Sequence, residues 1–195
     1  MIKTYNMLIK EYSNYEAPEN KISRMVKEHY YIKVKKGIYE TDKSVPGYLL
    51  ANIIYGPSYL SFDYALSYYG LIPEAVYVFT SACFEKKKQK KYNTDFGTFT
   101  YRDIPSIAFP YGVHIVQEGQ YTYHIATAEK ALCDKLYSMP TVRNKKQLRE
   151  LIFEDLRIDQ DEFDKLNKDD LKQLSDLYHC TNLKILKKLL RVPNE

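Results

Sequence analysis

The sequence predicts an α+β fold, with helical segments at both ends and most of the strands between them. Three observations lead to this expectation. Apolar side chains recur at helical spacing in the first thirty residues, and again in residues 141–195. Between them, short runs rich in β-branched and aromatic residues are separated by proline, glycine and polar turns. The 195 residues are enough for one medium domain or two small ones.

Residues 1–44 are predicted to contain a helix, a second helix and a hairpin. The first helix covers residues 2–12, and its apolar face comprises Ile2, Tyr5, Ile9 and Tyr12. The second begins after Pro18, and the side chains expected to point inward are Ile22, Met25, Val26 and His29. In residues 31–40 apolar and basic side chains alternate around a turn at Lys36-Gly37. This order is typical of a winged helix-turn-helix, whose second helix enters the DNA major groove.

The positive charge of the chain is concentrated in its first half. The net charge is +4, and residues 24–36 contain five Lys or Arg against one Glu. If this segment binds DNA, the groove-facing candidates are Lys21, Arg24 and Lys27. The phosphate-contacting candidates are Lys33, Lys35 and Lys36. A short helical hairpin with solvated lysines would have a similar sequence, so charge alone leaves DNA binding open.

Residues 45–56 are predicted to form a linker helix, and residues 57–140 a small mixed α/β domain. Gly56-Pro57 ends the linker, Ser61 is the expected N-cap of a short helix, and Gly70 its C-terminal cap. The expected strands are residues 75–83, 98–101, 113–116 and 121–125. Thr127 is expected to cap a helix that ends near Tyr137.

Residues 141–195 are predicted to form a helical C-terminal subdomain. Two N-cap and N3 pairs support the helices there, Asp159 with Glu162 and Asn167 with Asp170. The leucine stripes of this segment either pack on the sheet or dock a partner protein, as helices do in apolar grooves. The pattern favours packing on the sheet for the core-facing leucines, and it does not decide between the two interpretations for the other leucines.

The composition points to a soluble protein without a metal or cofactor. Hydrophobic residues make up 45% of the chain and charged residues 28%, which is ordinary for a globular protein. No apolar run approaches the ~18 residues of a membrane span, and the N-terminus does not resemble a signal peptide. The three cysteines are odd in number and widely spaced, which suggests neither disulfides nor a zinc site. We therefore expect a cytoplasmic protein with no membrane partner.

Catalytic motifs are absent from the sequence, with one weak exception. Asp63 followed by Glu85-Lys86-Lys87 is similar to the metal-dependent nuclease pattern, in which two carboxylates hold Mg²⁺ and a lysine helps to activate water. Asp63 also has an electrostatic reason to lie in the first turn of a helix. The lysine-rich run from Glu85 to Lys91 is typical of a solvated loop, and the alternative is a second polyanion contact. We expect no enzymatic activity.

Two stretches of the chain resemble a known family. They are YGPSYLSFDYALSYYGLIPE (residues 55–74) and IATAEKALCDKLY (residues 125–137), and both are similar to the AbiEi antitoxins of type IV toxin–antitoxin systems, which act in abortive infection. The resemblance covers about residue 1 to Tyr137. Ala128 departs from it, since the family usually has proline there. Alanine is a good helix former, so we still expect the helix.

The resemblance implies an N-terminal winged helix-turn-helix followed by an antitoxin domain, here residues 57–140. It also implies repression of the chain's own operon and action against a nucleotidyltransferase-like toxin. The operator is then expected to be repeated or palindromic, and direct contact with the toxin stays open. The alternatives are a stand-alone winged-helix regulator without a toxin, and the metal-dependent nuclease.

Overall fold

The computed structural model describes residues 1–190, and the last five residues of the predicted C-terminal subdomain lie outside this range. The N-terminal unit consists of β1 (Ile2–Thr4), α1 (Tyr5–Glu11), α2 (Pro18–Lys27), β2 (Ile32–Lys35) and β3 (Ile38–Glu40). The three strands form an antiparallel sheet in the order β1-β3-β2. Two helices followed by a hairpin were predicted, whereas β1 was not.

The predicted start of the first helix at residue 2 is wrong. Residues 2–4 pair instead with β3, with Ile2 opposite Glu40. The helix begins only after Thr4, whose hydroxyl accepts a hydrogen bond from the Met7 amide at 3.3 Å. The prediction that His29 points inward is also wrong. His29 is exposed and has a φ of 60°, which takes the chain out of the helix.

The predicted linker helix is shorter than expected and combines two types of helix. It consists of a 3-10 turn at Gly47–Leu50 followed by one turn of α-helix, α3 (Ala51–Ile54). Leu49, Leu50 and Ile54 are buried, and Ile53 is half-buried. Gly47 lies so close to Phe79 that an added Cβ would be 2.3 Å from its ring. This linker therefore packs tightly against the central sheet.

The central sheet has six strands in the order β6-β7-β5-β4-β9-β8. They are β4 (Ser58–Leu60), β5 (Val78–Cys83), β6 (Lys90–Thr94), β7 (Gly97–Asp103), β8 (Val113–Glu118) and β9 (Tyr121–Ala126). The pairs β4–β9 and β5–β7 are parallel, and the other neighbours are antiparallel. Strands β5, β7, β8 and β9 were predicted. The sequence did not indicate β4, which has only three residues, or the lysine-rich edge strand β6.

Helix α4 (Phe62–Tyr68) lies between β4 and β5, and α5 (Ala128–Ser138) follows β9. Helix α4 buries Phe62, Ala65 and Leu66 in the core. Gly70 follows the helix with a φ of 73°, as expected of a C-terminal cap. Thr127 caps α5 through a hydrogen bond from the Lys130 amide, so the helix forms with alanine at residue 128.

The C-terminal helices are α6 (Lys145–Glu150), α7 (Gln160–Lys165), α8 (Lys168–Asp176) and α9 (Thr181–Leu189). One turn of π-helix (Leu151–Asp155) follows α6. Asp159 and Asn167 cap α7 and α8 through their side chains, as predicted. The leucines that α8 and α9 bury are Leu171, Leu174, Leu183 and Leu186, and they belong to the same apolar cluster as the sheet. These leucines therefore stabilise the core. The α+β class is confirmed.

Candidate functional site

The exposed face of α2 contains two of its three predicted DNA-binding residues. Arg24 and Lys27 are exposed, and the Arg24 Nε lies 3.8 Å from an exposed Glu28 carboxylate oxygen. Solvent screens such a pair, so it restrains the guanidinium only weakly. Lys21 is half-buried, and its Nζ lies 5.3 Å from the ring centroid of Tyr15. The ammonium of Lys21 is therefore held over an aromatic ring.

The hairpin places its three predicted lysines differently. Lys33 and Lys36 are exposed. Lys35 is half-buried, and its Nζ donates a hydrogen bond of 2.6 Å to the carbonyl oxygen of Ile54. Desolvation lowers the pKa of the Lys35 ammonium below its usual 10.5. Lys35 thus joins the hairpin to α3, and the side chains open to a phosphate are those of Lys33 and Lys36.

A small separate core fixes the hairpin against the two helices. It consists of Leu8 from α1, Ile22 from α2 and Tyr31, the residue before β2. The Tyr31 hydroxyl also lies 2.8 Å from the Tyr12 hydroxyl at the end of α1. Because these contacts join α1, α2 and the start of β2, the basic residues of α2 and of the hairpin are presented by one packed unit.

The lysine-rich segment from Glu85 to Lys91 is only partly the predicted loop. Asp103 accepts hydrogen bonds from the Lys86 amide at 3.0 Å and from the Lys87 amide, which holds the start of the loop. Lys90 and Lys91 belong to β6 and pair with Tyr101 and Thr100 of β7. Lysines on an edge strand discourage pairing with another chain. Strand β6 also lies beside β2, so this basic edge adjoins the hairpin.

The residues of the nuclease-like pattern do not form a common site. Asp63 binds Lys135 in a salt bridge of 2.6 Å, whereas the Glu85 carboxylate accepts a hydrogen bond from the Ser106 hydroxyl at 2.9 Å. The two carboxylates line different clefts. Within residues 1–190, no three His, Cys, Asp or Glu side chains are grouped closely enough to hold a metal ion.

The two motifs that carry the family resemblance meet in a buried polar network. The Asp134 carboxylate on α5 accepts hydrogen bonds from the hydroxyls of Ser61 at 2.6 Å, Tyr178 at 2.5 Å and Tyr59 at 3.0 Å. Lys130 lies one turn earlier on α5, with its Nζ 3.5 Å from Asp134. The side chains of both charged residues are 0% exposed.

The electrostatics of this network are those of a sealed ion pair. The Lys130 ammonium also donates to the Ala108 carbonyl at 2.7 Å and to the Tyr178 hydroxyl at 2.5 Å. Desolvation lowers the pKa of Lys130, and the Asp134 carboxylate opposes this effect. Burial, together with Asp134, raises the pKa of Tyr59 and Tyr178 well above 10, so both phenols remain protonated donors. The network fixes the packing of α5, and in the part of the chain that the structure describes its two charged side chains are sealed from solvent.

The sequence-based predictions missed this network. Ser61 lies at the N-cap position of α4, as predicted, but its hydroxyl bonds to Asp134 and makes no cap. The only signal in the sequence was the i, i+4 spacing of Lys130 and Asp134, which also occurs on exposed helix faces. Burial distinguishes the two cases, and burial depends on elements distant in the chain.

Comparison with known proteins gives no family assignment. No model of a known protein family matches the chain, and neither does any curated protein. The resemblance to the AbiEi antitoxins therefore rests on the two motifs. Among residues 1–190, none of the helices has the length and apolar character needed to cross a lipid bilayer.

Proposed function

We propose that this chain is a DNA-binding autorepressor and the antitoxin of a type IV toxin–antitoxin system, acting in the cytoplasm and without catalytic activity. The observation that carries the DNA-binding part is the N-terminal unit. Its helices α1 and α2 precede the β2–β3 hairpin, and β1 pairs with β3, which is the central strand of the three-stranded sheet. In a winged helix-turn-helix the second helix of the pair is the one that reads DNA. This assignment makes α2 the recognition helix.

The exposed basic side chains have two proposed roles, base reading and phosphate contact, according to whether they lie on α2 or on the hairpin. Arg24 and Lys27 on α2 are the proposed base-reading residues. Lys33 and Lys36 on the hairpin are the proposed phosphate contacts. Lys35 is left out because its ammonium already binds the Ile54 carbonyl.

A DNA-binding assay tests this division. The probe is the DNA upstream of the chain's own operon, compared with random DNA of equal length. Arg24→Ala is expected to weaken specific binding more than random binding, by about 1–3 kcal/mol at the contacted base pair. Lys36→Ala is expected to weaken both DNAs alike and to reduce the salt slope by about 0.9.

Lys146→Ala is the matched control, because Lys146 is an exposed lysine on α6, outside the N-terminal unit. It is expected to leave both affinities unchanged. If Arg24→Ala and Lys36→Ala bind operator DNA as well as the unmodified chain does, the winged-helix proposal is wrong. Equal weakening by all three substitutions would mean general attraction of a basic protein to DNA.

The antitoxin part of the proposal is supported by the two family-like motifs, whose side chains Ser61, Lys130 and Asp134 meet in one network. A growth assay tests it. The chain is expressed together with a nucleotidyltransferase-like toxin encoded beside it, and growth is expected to recover. Failure to rescue growth, with both proteins present in the cell, would remove the antitoxin role and leave a stand-alone regulator.

A further inference from the structure

A basic cleft lies on the central sheet, and its lining includes no residue of the proposed DNA-reading helix. It is bounded by the sheet strands β5, β6 and β7 on one side and by α4 and α5 on the other, and its volume is about 530 Å³. The cationic residues that line it are Lys90, Lys91, Arg102 and Lys135. Among the lining residues within 1–190, Asp63 is the only carboxylate, so these residues carry three positive charges more than negative ones.

The cations of the cleft are incompletely neutralised by the protein. Lys135, which is 16% exposed, pairs with Asp63 at 2.6 Å. Arg102 is half-buried and donates one hydrogen bond of 3.3 Å, to the Ser138 carbonyl. Within residues 1–190, no carboxylate lies within 4.0 Å of the charged nitrogens of Arg102, Lys90 or Lys91. Clustered charges of one sign favour a bound counter-ion, and guanidinium with ammonium groups suits a phosphate.

The sheet register directs several of these groups to the same face. Lys91 of β6 and Thr80 of β5 both lie opposite Thr100 of β7, and Arg102 is two residues further along β7. Residues two apart on a strand share a face. Arg102 reaches α5 through its bond to Ser138, so this is the face covered by α4 and α5. A phosphate at this face would meet donors from two strands and one helix.

The size and the remaining lining indicate more than an inorganic ion. A volume of about 530 Å³ lies within the ~300–1,000 Å³ of sites for organic ligands. Phe62 and Met139 supply apolar surface in the same cleft. Phe62 has a φ of 54°, and bulky side chains in this left-handed region are uncommon and concentrate at functional sites.

We propose that the cleft binds a nucleoside polyphosphate, with Arg102, Lys91 and Lys135 contacting the phosphates and Phe62 and Met139 beside the nucleoside. The proposed nucleotide site and the proposed DNA interface share no residue. Failure of the nucleotide proposal would therefore leave the DNA-binding proposal standing, and failure of the DNA-binding proposal would leave the nucleotide proposal standing.

Calorimetric titration with ATP, GTP, CTP and UTP tests the proposal. At least one nucleotide is expected to bind saturably with a stoichiometry of one. Arg102→Gln is expected to weaken that binding at least about tenfold, because a guanidinium–phosphate contact is a charge-assisted hydrogen bond. Lys91→Gln, on an exposed strand position where the fold tolerates a polar side chain, is expected to weaken it about threefold or more.

Lys88→Gln is the matched control, since Lys88 belongs to the same lysine run but does not line the cleft. It is expected to change the affinity less than about twofold. The proposal is overturned if no nucleotide binds, or if Lys88→Gln weakens binding as much as the other two variants. It is also overturned if pyrophosphate binds as tightly as every nucleotide, or if a 5′-phosphorylated oligonucleotide binds the cleft more tightly than all four. Circular dichroism of each variant confirms that it is folded.

Discussion

Replacement of Lys130 by methionine is the sharpest test of the buried network. Methionine retains most of the length and apolar contact of the lysine stem but removes its charge. The Asp134 carboxylate would then be a buried anion without a cation, with three hydroxyl donors as its remaining partners. Breaking a buried ion pair on one side costs about 3–5 kcal/mol. The three hydroxyls moderate this cost, so we expect about 3 kcal/mol of lost unfolding free energy.

The assay is urea unfolding followed by circular dichroism, with thermal unfolding as a second measure. For a chain of 195 residues, 3 kcal/mol corresponds to a melting temperature lower by about 6–12 °C. The Lys130→Met/Asp134→Asn double variant retains an acceptor oxygen for the hydroxyls and removes both charges. We expect it to be more stable than the sum of the single variants predicts, by about 2 kcal/mol.

The double variant separates a charge effect from a packing effect. A deficit of Lys130→Met below about 1 kcal/mol, or one that is additive with Asp134→Asn in the double variant, would refute the electrostatic account.

Three further outcomes are expected. Gly47→Ala should destabilise the fold by about 1–3 kcal/mol in urea unfolding, since its Cβ would lie 2.3 Å from both the Phe79 ring and the Phe96 carbonyl oxygen. Gly70→Ala is the control, because an added Cβ at Gly70 would meet no atom within 4 Å and only the positive φ disfavours it. A loss of unfolding free energy above about 2 kcal/mol in Gly70→Ala would contradict the steric account. Burial alone would raise the pKa of Asp103, but hydrogen bonds from the Cys83 thiol and the Lys86 amide lower this pKa below 3.8. The ionised Asp103 carboxylate therefore stabilises the fold above that pH, and this contribution is lost in stronger acid. Asp103→Asn should therefore flatten the fall in stability below pH 4, and an unchanged acid profile would count against these bonds. In DNA-binding titrations Lys88→Gln should leave the salt slope unchanged, and a slope lower by about 0.9 would make the loop a phosphate contact.

The sequence predicted those elements whose boundaries depend on local chemistry. Thr127, Asp159 and Asn167 cap the helices that their positions indicated, because an N-cap acts within its own first turn. Gly70 ends α4 for an equally local reason. Predictions of this kind use only the residues next to each boundary. Ser61 is the exception, because its hydroxyl bonds to Asp134 and makes no cap.

Elements that depend on distant partners were not predicted. Residues 2–4 have the spacing of a helix face and form a strand because β3, more than thirty residues away, offers a free edge. Lys90 and Lys91 look like solvated loop residues and form an edge strand through pairing with β7. Lys35 looks like an exposed wing residue, and its partner is a carbonyl in α3. In each case the deciding contact is tertiary.

The same distinction explains what the two family-like motifs specify. Ser61 comes from the first motif and Lys130 and Asp134 from the second, and all three side chains are fully buried in one network. Sealed residues of this kind constrain how α5 packs against β4 and cannot contact DNA, a toxin or a nucleotide. Arg24 and Arg102, which carry proposed contacts to DNA and to a nucleotide, belong to neither motif, whereas Phe62 and Lys135 lie in the motifs and line the proposed nucleotide cleft. Substitutions of the three sealed residues are therefore expected to act through stability, and substitutions of the basic residues that line the cleft or the exposed face of α2 through binding.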